Sequence, residues 1–177
     1  GEKSGSVYAF RYNGTSWVQE QKLLASDGSK DDRLGNTVSV DGDVIVAGAW
    51  KKNGGGKRSG AAYVYRFNGL QWVQEQKLIA SDRDANDGFG RHVSVSGTGI
   101  GAGTGQDDDG ASNAGAVYMF RHNGARWVQE RKLVASDAGT NSFLGWSVYL
   151  DGRTVVAGAF GDSPKGTQSG AAYVWRH

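Results

Sequence analysis

Two acidic clusters contain the side chains best suited to bind a cation. In the first, Asp82, Asp84, Asn86 and Asp87 place four oxygen-bearing side chains within six positions, and oxygen atoms are the ligands that Ca²⁺ prefers. Gly88, however, comes one position too late for the spacing of an EF-hand loop. The match to a known calcium loop is therefore incomplete.

The second acidic cluster is the run Asp-Asp-Asp-Gly at 107–110. Contiguous carboxylates do not all converge readily on one ion, and neither cluster recurs elsewhere in the chain at equivalent positions. Solvated turns are the favoured interpretation of both clusters. We expect no cofactor, with a calcium site formed by Asp82, Asp84 and Asn86 as the alternative.

Aromatic side chains are the second group with a chemical use, because they offer a large flat surface to a sugar or a protein. Trp50, Trp146 and Phe160 lie at positions that vary between equivalent parts of the chain, and we predict that they bind a ligand. Three other tryptophans recur every 55 residues and are expected to pack between structural units: Trp17, Trp72 and Trp127.

No catalytic group is evident. An aspartate follows Ala-Ser in every unit, at Asp27, Asp82 and Asp137, and we expect a structural role in which its side chain bonds nearby backbone amides. No equally placed base or nucleophile accompanies it. The histidines share no spacing typical of a metal site or proton relay: His92, His122 and His177. The sequence predicts a protein that is not an enzyme.

These residues are positioned by an internal repeat of 55 residues that occupies the whole chain. Each copy begins with a small residue followed by Gly, at Ser4-Gly5, Ser59-Gly60, Ala114-Gly115 and Ser169-Gly170. A unit this short does not bury its own apolar face, so the units must stack on one another.

Each unit is predicted to be a four-stranded antiparallel meander. In one copy, alternating and continuous apolar runs predict strands at 36–40, 44–49, 61–67 and 72–78, joined at Asp-Gly and Asn-Gly by tight turns. The polar fourth strand suits a sheet edge, and no segment predicts a helix. The glycine-rich second strand at 99–104 predicts that the middle unit is the least well packed.

Composition excludes several classes of protein. The 177 residues are enough for one domain with a sizeable core. A net charge of +2 gives no electrostatic case for a nucleic-acid partner. No apolar run approaches the ~20 residues that cross a bilayer, so no membrane insertion is expected. The absence of cysteine excludes disulfides and thiolate metal sites.

The order of the motifs identifies a family. A large apolar residue followed by Gly precedes the first strand of each unit, at Leu34-Gly35, Phe89-Gly90 and Leu144-Gly145. A Gly-Ala segment follows, and the motif Ser-Gly-Ala-Ala-Tyr-Val then appears at 59–64 and 169–174. This order resembles the FG-GAP repeat, the blade unit of integrin α-subunit β-propellers and of many bacterial and algal surface proteins. The resemblance implies an all-β propeller and an extracellular or cell-surface location.

The resemblance to the FG-GAP repeat does not imply that this chain binds calcium. Calcium-binding integrin blades carry a pattern similar to Asp-x-Asp-x-Asp-Gly between the first and second strands. The corresponding hairpins here, at 41–43, 96–98 and 151–153, are too short to surround a cation that needs six to eight oxygens.

The resemblance implies a single array over residues 1–177, with a partial blade at 1–24, blades at 34–79 and 89–134, and a partial blade at 144–177. These ranges predict 13 strands, one more than three blades need. Because propellers typically have four to eight blades, we expect either a longer array or a homodimer that completes a six-bladed ring. A β-trefoil, also built from three four-stranded units, is the alternative fold.

Variation between the repeats is confined to one set of loops. These are the loops between second and third strands, at 51–58, 106–113 and 161–168, and the links between units, at 28–33, 83–88 and 138–143. Variable loops on a shared scaffold usually carry binding, although drift of unconstrained loops explains the variation equally well. We predict a non-enzymatic binding or adhesion module for a protein or glycan; the alternative is a structural building block of an extracellular or surface assembly.

Overall fold

The computed structural model describes residues 2–176, and within that range its regular secondary structure is entirely β. Thirteen strands follow one another, which confirms the predicted fold class and strand count. Residues 2–176 contain no helix that is long and apolar enough to cross a membrane. The strands are β1 Val7–Tyr12, β2 Trp17–Leu23, β3 Val38–Asp41, β4 Val44–Ala49, β5 Ala61–Phe67, β6 Trp72–Leu78, β7 His92–Ser96, β8 Gly99–Thr104, β9 Ala116–His122, β10 Trp127–Leu133, β11 Leu144–Asp151, β12 Thr154–Ala159 and β13 Ala171–Arg176.

The strands form four separate antiparallel sheets, which we name blades 1 to 4. Blade 1 is β1–β2, blade 2 is β3–β6, blade 3 is β7–β10 and blade 4 is β11–β13. In each blade the strands pair in sequence order, as the predicted meander requires. The β-trefoil alternative is wrong, because each four-stranded unit forms a sheet of its own rather than sharing strands with the others.

The predicted hairpins are confirmed. Asp41 pairs with Val44 across a two-residue turn between β3 and β4. Between β5 and β6, the side-chain oxygen of Asn68 accepts hydrogen bonds from the amides of Leu70 at 3.0 Å and Gln71 at 2.9 Å. The same arrangement recurs after β1 and β9, so one rim of the array is built from repeated turns.

Blades 2, 3 and 4 contact one another along their first strands. The backbone amide of Val95 in β7 donates to the hydroxyl of Ser39 in β3 at 3.0 Å. One blade further on, the amide of Leu150 in β11 donates to the hydroxyl of Ser94 at 2.9 Å. Hydroxyl side chains thus join the first strands into a continuous inner layer, as expected for propeller blades.

The fourth strands lie at the sheet edges, as predicted, and their tryptophans pack on the preceding blade. The indole nitrogen of Trp72 donates to Glu20 at 3.0 Å, and the Trp72 amide donates to the side chain of Gln21 at 2.8 Å. Trp127 is also buried and makes the equivalent contacts with blade 2. Trp17 differs, since it is 70% exposed and no preceding sheet among residues 2–176 covers it.

The hydrophobic core lies between blades rather than within them. One cluster fills the space between blades 1 and 2, a second the space between blades 2 and 3, and a third the space between blades 3 and 4. Fully burying a Val, Leu or Phe side chain contributes roughly 1.5–3 kcal/mol. Face-to-face stacking of the units is therefore the main source of stability, as the repeat predicts.

The prediction that the glycine-rich middle blade is the least well packed is wrong. Strand β8 is almost wholly buried. A Cβ atom on Gly101 would lie 3.0 Å from a methyl group of Val148, and one on Gly103 would lie 2.0 Å from the carbonyl oxygen of Gly145. The missing side chains let blade 4 approach the backbone of β8, so these glycines permit close packing instead of weakening it.

The Phe-Gly and Gly-Ala motifs meet where two blades touch. Phe89 is fully buried, and its amide donates to the carbonyl oxygen of Ser59 in the preceding unit at 2.9 Å. Gly90 has a φ of +78°, which L side chains rarely adopt. A Cβ on Gly48 would lie 1.9 Å from the carbonyl oxygen of Gly90. The two backbones therefore approach each other with no room for a side chain.

Gly48→Ala is expected to lower the free energy of unfolding by about 3 kcal/mol, because the added methyl group must push two backbones apart. Denaturant unfolding measures the loss. Gly139→Ala is the matched control, since its nearest neighbour would be the Ser142 hydroxyl at 3.4 Å and its φ is ordinary; it should change stability by less than about 0.5 kcal/mol. Equal losses in the two variants would contradict the proposed blade-to-blade contact.

Candidate binding rim

The variable loops and links meet on one rim of the array. The amide of Asn86 donates to the carbonyl oxygen of Lys57 at 2.9 Å, and the amide of Asn141 donates to that of Ser112 at 2.8 Å. The loops at 51–58 and 106–113 are thus each bonded to the link that follows them in the chain. We call the surface formed by 28–33, 51–58, 83–88, 106–113, 138–143 and 161–168 the variable rim.

Aromatic rings and one guanidinium group form a stack along this rim. The guanidinium carbon of Arg91 lies 4.7 Å from the ring centroid of Trp50 and 3.7 Å from that of Trp146. Trp146 meets Phe160 edge to face at 4.7 Å, and Phe143 stacks on Phe160 at 5.0 Å with the ring planes 5° apart. We call these five residues the rim stack; it runs from the end of β4 in blade 2 to blade 4.

The rim stack brings together all three aromatic residues predicted to bind a ligand. It also contains Arg91 and Phe143, which the sequence analysis missed. A signal for Arg91 exists in the repeat, because it occupies the position that Trp146 holds 55 residues later. Gly105, equivalent to Trp50 and Phe160, makes room for the stack, since a Cβ there would lie 3.0 Å from the Trp146 ring.

The ring of Trp50 is surrounded by cations. Besides Arg91, the guanidinium of Arg33 lies 5.7 Å and the ammonium of Lys51 lies 4.9 Å from its centroid. Cation–π contacts at exposed sites contribute about 0.5–1 kcal/mol each. Burial lowers the pKa of Arg91 from its usual value. The predicted stacking platform for a sugar is therefore already in contact with positively charged side chains.

A basic cleft lies beside Trp50, between link 28–33 and loop 51–58. It has a volume of about 600 Å³. At its base the buried ammonium of Lys52 contacts the buried carboxylate of Asp32 at 2.8 Å and also the carbonyl oxygen of Asp27. Its other cationic side chains are Lys3, Lys30, Arg33, Lys51, Lys57 and Arg58. We call this set the basic cleft.

The equivalent surface of the next blade is acidic. The Lys132 ammonium contacts Asp82 at 3.0 Å, Asp107 at 2.9 Å and Asp109 at 2.6 Å. Burial lowers the pKa of Lys132, but these three carboxylates outweigh burial and raise it above its usual value. Burial also raises the pKa of nearby Asp87, and the Asp107 charge adds to the rise. Asp107 occupies the position that Lys52 holds one repeat earlier.

Of the three residues considered for calcium, Asp82 uses its carboxylate in other contacts. The Asp82 carboxylate accepts a hydrogen bond from Tyr118 at 2.7 Å in addition to its ion pair. The amide of Asp84 donates to Asp87 at 2.5 Å, and Asn86 adopts a φ of 76°. Within residues 2–176 no three His, Cys, Asp or Glu side chains are grouped closely enough to hold a metal ion. Calcium binding by Asp82, Asp84 and Asn86 stays a prediction, which a calcium titration of thermal stability would test.

The repeated aspartates connect neighbouring blades. Tyr63 donates its hydroxyl proton to Asp27 at 2.6 Å, and the tyrosines of the next two blades, Tyr118 and Tyr173, contact Asp82 and Asp137 at 2.7 Å. Lys77 adds an ion pair to Asp27 at 2.7 Å. The role is structural, as expected, and the predicted bond to a nearby backbone amide is present at Asp82. The prediction missed the tyrosine of the next blade, which bonds the aspartate in all three units.

The two histidines that the structure describes, His92 and His122, do not form a site. His92 is half-buried in β7, where burial and then the charge of Arg91 lower its pKa. The ring of His122 packs edge to face on Trp127 at 5.1 Å. His177 lies outside the described residues. The two described histidines therefore belong to the strands and to the packing between blades.

Stacked four-stranded meanders with variable loops on one rim define the class of blade-repeat proteins. The family model described as FG-GAP repeat matches residues 17–65, 72–120 and 127–175. These matches cover most of the chain, and the chain belongs to the FG-GAP repeat family. No curated protein matches the chain.

The family repeat is offset by one strand from the blades. The first match begins at β2, the fourth strand of blade 1, and ends within β5, the third strand of blade 2. It therefore contains both Asp27 and Tyr63, and the other two matches contain the other two Asp–Tyr pairs. Each repeat unit of the family thus includes one complete connection between blades.

The contacts of the Asp27 carboxylate with Tyr63 and Lys77 predict how the stability of the protein changes at acidic pH. Burial raises the pKa of Asp27, but hydrogen bonds from Lys77 and Tyr63 outweigh burial and lower it to about 2. Because the unfolded pKa is about 3.9, the stabilising contribution of the carboxylate is complete above about pH 4 and is lost as the pH falls towards 2. Asp27→Asn should therefore be less stable than wild type at pH 7, and the difference should shrink between pH 4 and pH 2 in denaturant unfolding.

Asp151→Asn is the control for that measurement. Asp151 is exposed and forms no ion pair within residues 2–176, so this variant should follow the wild-type pH profile. A difference between Asp27→Asn and wild type that stays constant from pH 7 to pH 2 would contradict the assignment of Asp27 as an ionised connection between blades.

Proposed function

We propose that the protein is a non-enzymatic binding module, located outside the cell or at its surface, that presents its variable rim to a protein or glycan. FG-GAP repeats are typical of extracellular and surface proteins, which supports the location. The near-identical hairpins on one rim and the differing loops on the other support the choice of surface.

The rim stack is the observation that carries this proposal. It connects blades 2, 3 and 4 and holds large side chains near the surface, where Phe160 is 47% exposed. Aromatic residues and arginine are the residue types most enriched at the centres of binding interfaces. Because the neighbouring rings and Arg91 restrain one another, little side-chain entropy is lost when a partner binds.

The pairing of ionisable groups supports a role without catalysis. The Tyr118 hydroxyl lies within 2.7 Å of both Asp82 and Asp107, and Lys132 contacts both carboxylates. These groups satisfy one another, and no nucleophile with an adjacent base accompanies them among the described residues. A general acid or base needs a proton-accepting or proton-donating atom directed at a substrate, and the paired groups are directed at each other.

A structural role is the second candidate, and an exposed apolar face on blade 1 favours it. Tyr8, Phe10, Tyr12 and Trp17 are 47–70% exposed there, although the equivalent faces of blades 2 and 3 are covered by the preceding blade. We propose that another FG-GAP unit covers this face. The unit belongs either to a second copy, which would complete a six-bladed ring, or to another part of a longer chain.

Trp146→Ala tests the binding role. Glycan and protein arrays probed with the wild-type protein should identify ligands whose affinity falls about tenfold or more in this variant, because the rim stack loses its central ring. Leu70→Ala is the control, since Leu70 is 89% exposed in a hairpin of the opposite rim.

Binding at the variable rim would be contradicted if the affinity of the array ligands fell equally in the two variants or was unchanged in both. The sedimentation of the same samples distinguishes the second candidate. Concentration-dependent assembly without any ligand, unaffected by Trp146→Ala, would favour the structural role.

A further inference from the structure

We propose that the basic cleft, together with Arg91, binds an anionic polysaccharide through its sulfate or carboxylate groups. The inference rests on the proposed binding role of the variable rim and specifies the chemical class of the ligand. It requires that the cleft is selectively positive, that its cations are free to bind, and that the adjacent rings favour an anion over a neutral sugar.

The charge of the rim changes abruptly between equivalent segments. Link 28–33 and loop 51–58 contain six Lys and Arg residues and two Asp residues, whereas 83–88 and 106–113 contain one Arg and five Asp. The third pair of segments, 138–143 and 161–168, contains one Lys and one Asp. A net charge of +2 for the whole chain therefore conceals one strongly basic site.

Five of the seven cations of the cleft lack a carboxylate partner. Within residues 2–176, Lys30 and Lys52 are paired, and no ion pair involves the other five: Lys3, Arg33, Lys51, Lys57 and Arg58. Burial lowers the pKa of Lys51, and the charges of Arg33 and Arg58 lower it further. An anion bound among these side chains would relieve this mutual repulsion, which no group of the described chain fully offsets.

The surroundings of Trp50 favour an anion over a neutral sugar. Arg33, Lys51 and Arg91 all lie within 6 Å of its ring centroid, so a sugar ring would have to displace a cation to stack there. A guanidinium that stacks on an aromatic ring keeps its in-plane N–H donors available, and their geometry matches sulfate and carboxylate oxygens. The groups presented to a ligand are therefore cationic donors.

The arrangement suits a polymer better than a single ion. Arg33 and Lys51 of the cleft and Arg91 of the rim stack all contact the Trp50 ring, so a chain of linked sugars with repeated charges would reach both groups of cations. The Asp-rich segments of blade 3 border this surface and repel a polyanion. They would confine the polysaccharide to the basic part of the rim.

The test compares a heparin-derived oligosaccharide, an oligogalacturonate and neutral dextran of matched length, each measured by fluorescence anisotropy at low and high salt. Wild type should bind one or both anionic sugars, more weakly at high salt because exposed charges are screened. Lys51→Gln with Lys57→Gln should weaken binding about tenfold. The control, Arg126→Gln with Arg153→Gln, removes the same charge from hairpins of the opposite rim and should change affinity less than about twofold.

Heparin carries sulfate and carboxylate groups, whereas oligogalacturonate carries carboxylates alone. Binding of oligogalacturonate would show that carboxylates suffice, binding of the heparin fragment alone would show that sulfates are required, and either result supports the proposal. Equal binding of dextran would overturn the anionic ligand while leaving a binding role for the rim intact. Equal binding of a DNA duplex, equal loss in the control variant, or no binding of either anionic sugar would also overturn it. The proposed binding role of the rim has its own test: it is contradicted if Trp146→Ala lowers the affinity of no array ligand.

Discussion

The close approach of two backbones at the Gly48–Gly90 contact is the constraint on which the rest of the structure depends. It places the segment before the first strand of one blade against the second strand of the preceding blade, with no side chain between them. This spacing brings Phe89 into the core between the blades. It also sets the distance across which Tyr118 reaches Asp82 and Arg91 reaches Trp50. The arrangement of the variable rim is thus a consequence of how closely the blades pack.

Repetition and variation have separate places in this molecule. The buried Phe-Gly or Leu-Gly pair and the Asp–Tyr hydrogen bond recur at each of the three interfaces between blades. The hydroxyl-to-amide bonds between first strands recur between blades 2 and 3 and between blades 3 and 4. The rim changes from blade to blade, since Lys52 in one unit is replaced by Asp107 in the next. A scaffold whose stability comes from the repeated contacts tolerates a reversal of charge at the rim, and this tolerance lets one array carry a basic cleft beside an acidic surface.

Much of the fold was predictable because it depends on local patterns. The alternation at 61–67 and 72–78, the Asn-Gly turns and the fixed interval of 55 residues determine strands, hairpins and stacking. The packing of β8 was not predictable, because the benefit of Gly101 depends on Val148 in another blade. The partner of Asp27 lies 36 residues away for the same reason. At the rim, Trp50, Trp146 and Phe160 were predicted from their variability and do lie in one stack. Arg91 was missed because its position between two rings depends on the packing of separate blades.

Native-state hydrogen exchange at the amide of Phe89 tests the central claim most directly. This amide is buried between blades and donates to Ser59 of the preceding unit, and the amide of Leu144 donates in the same way to Ala114. If stacked blades stabilise the fold, both amides should exchange only through global unfolding, with protection equal to that of the central strand β5. Exchange of the Phe89 amide as fast as that of the exposed hairpin amide of Gly69 would show that the blades separate readily and would contradict the account.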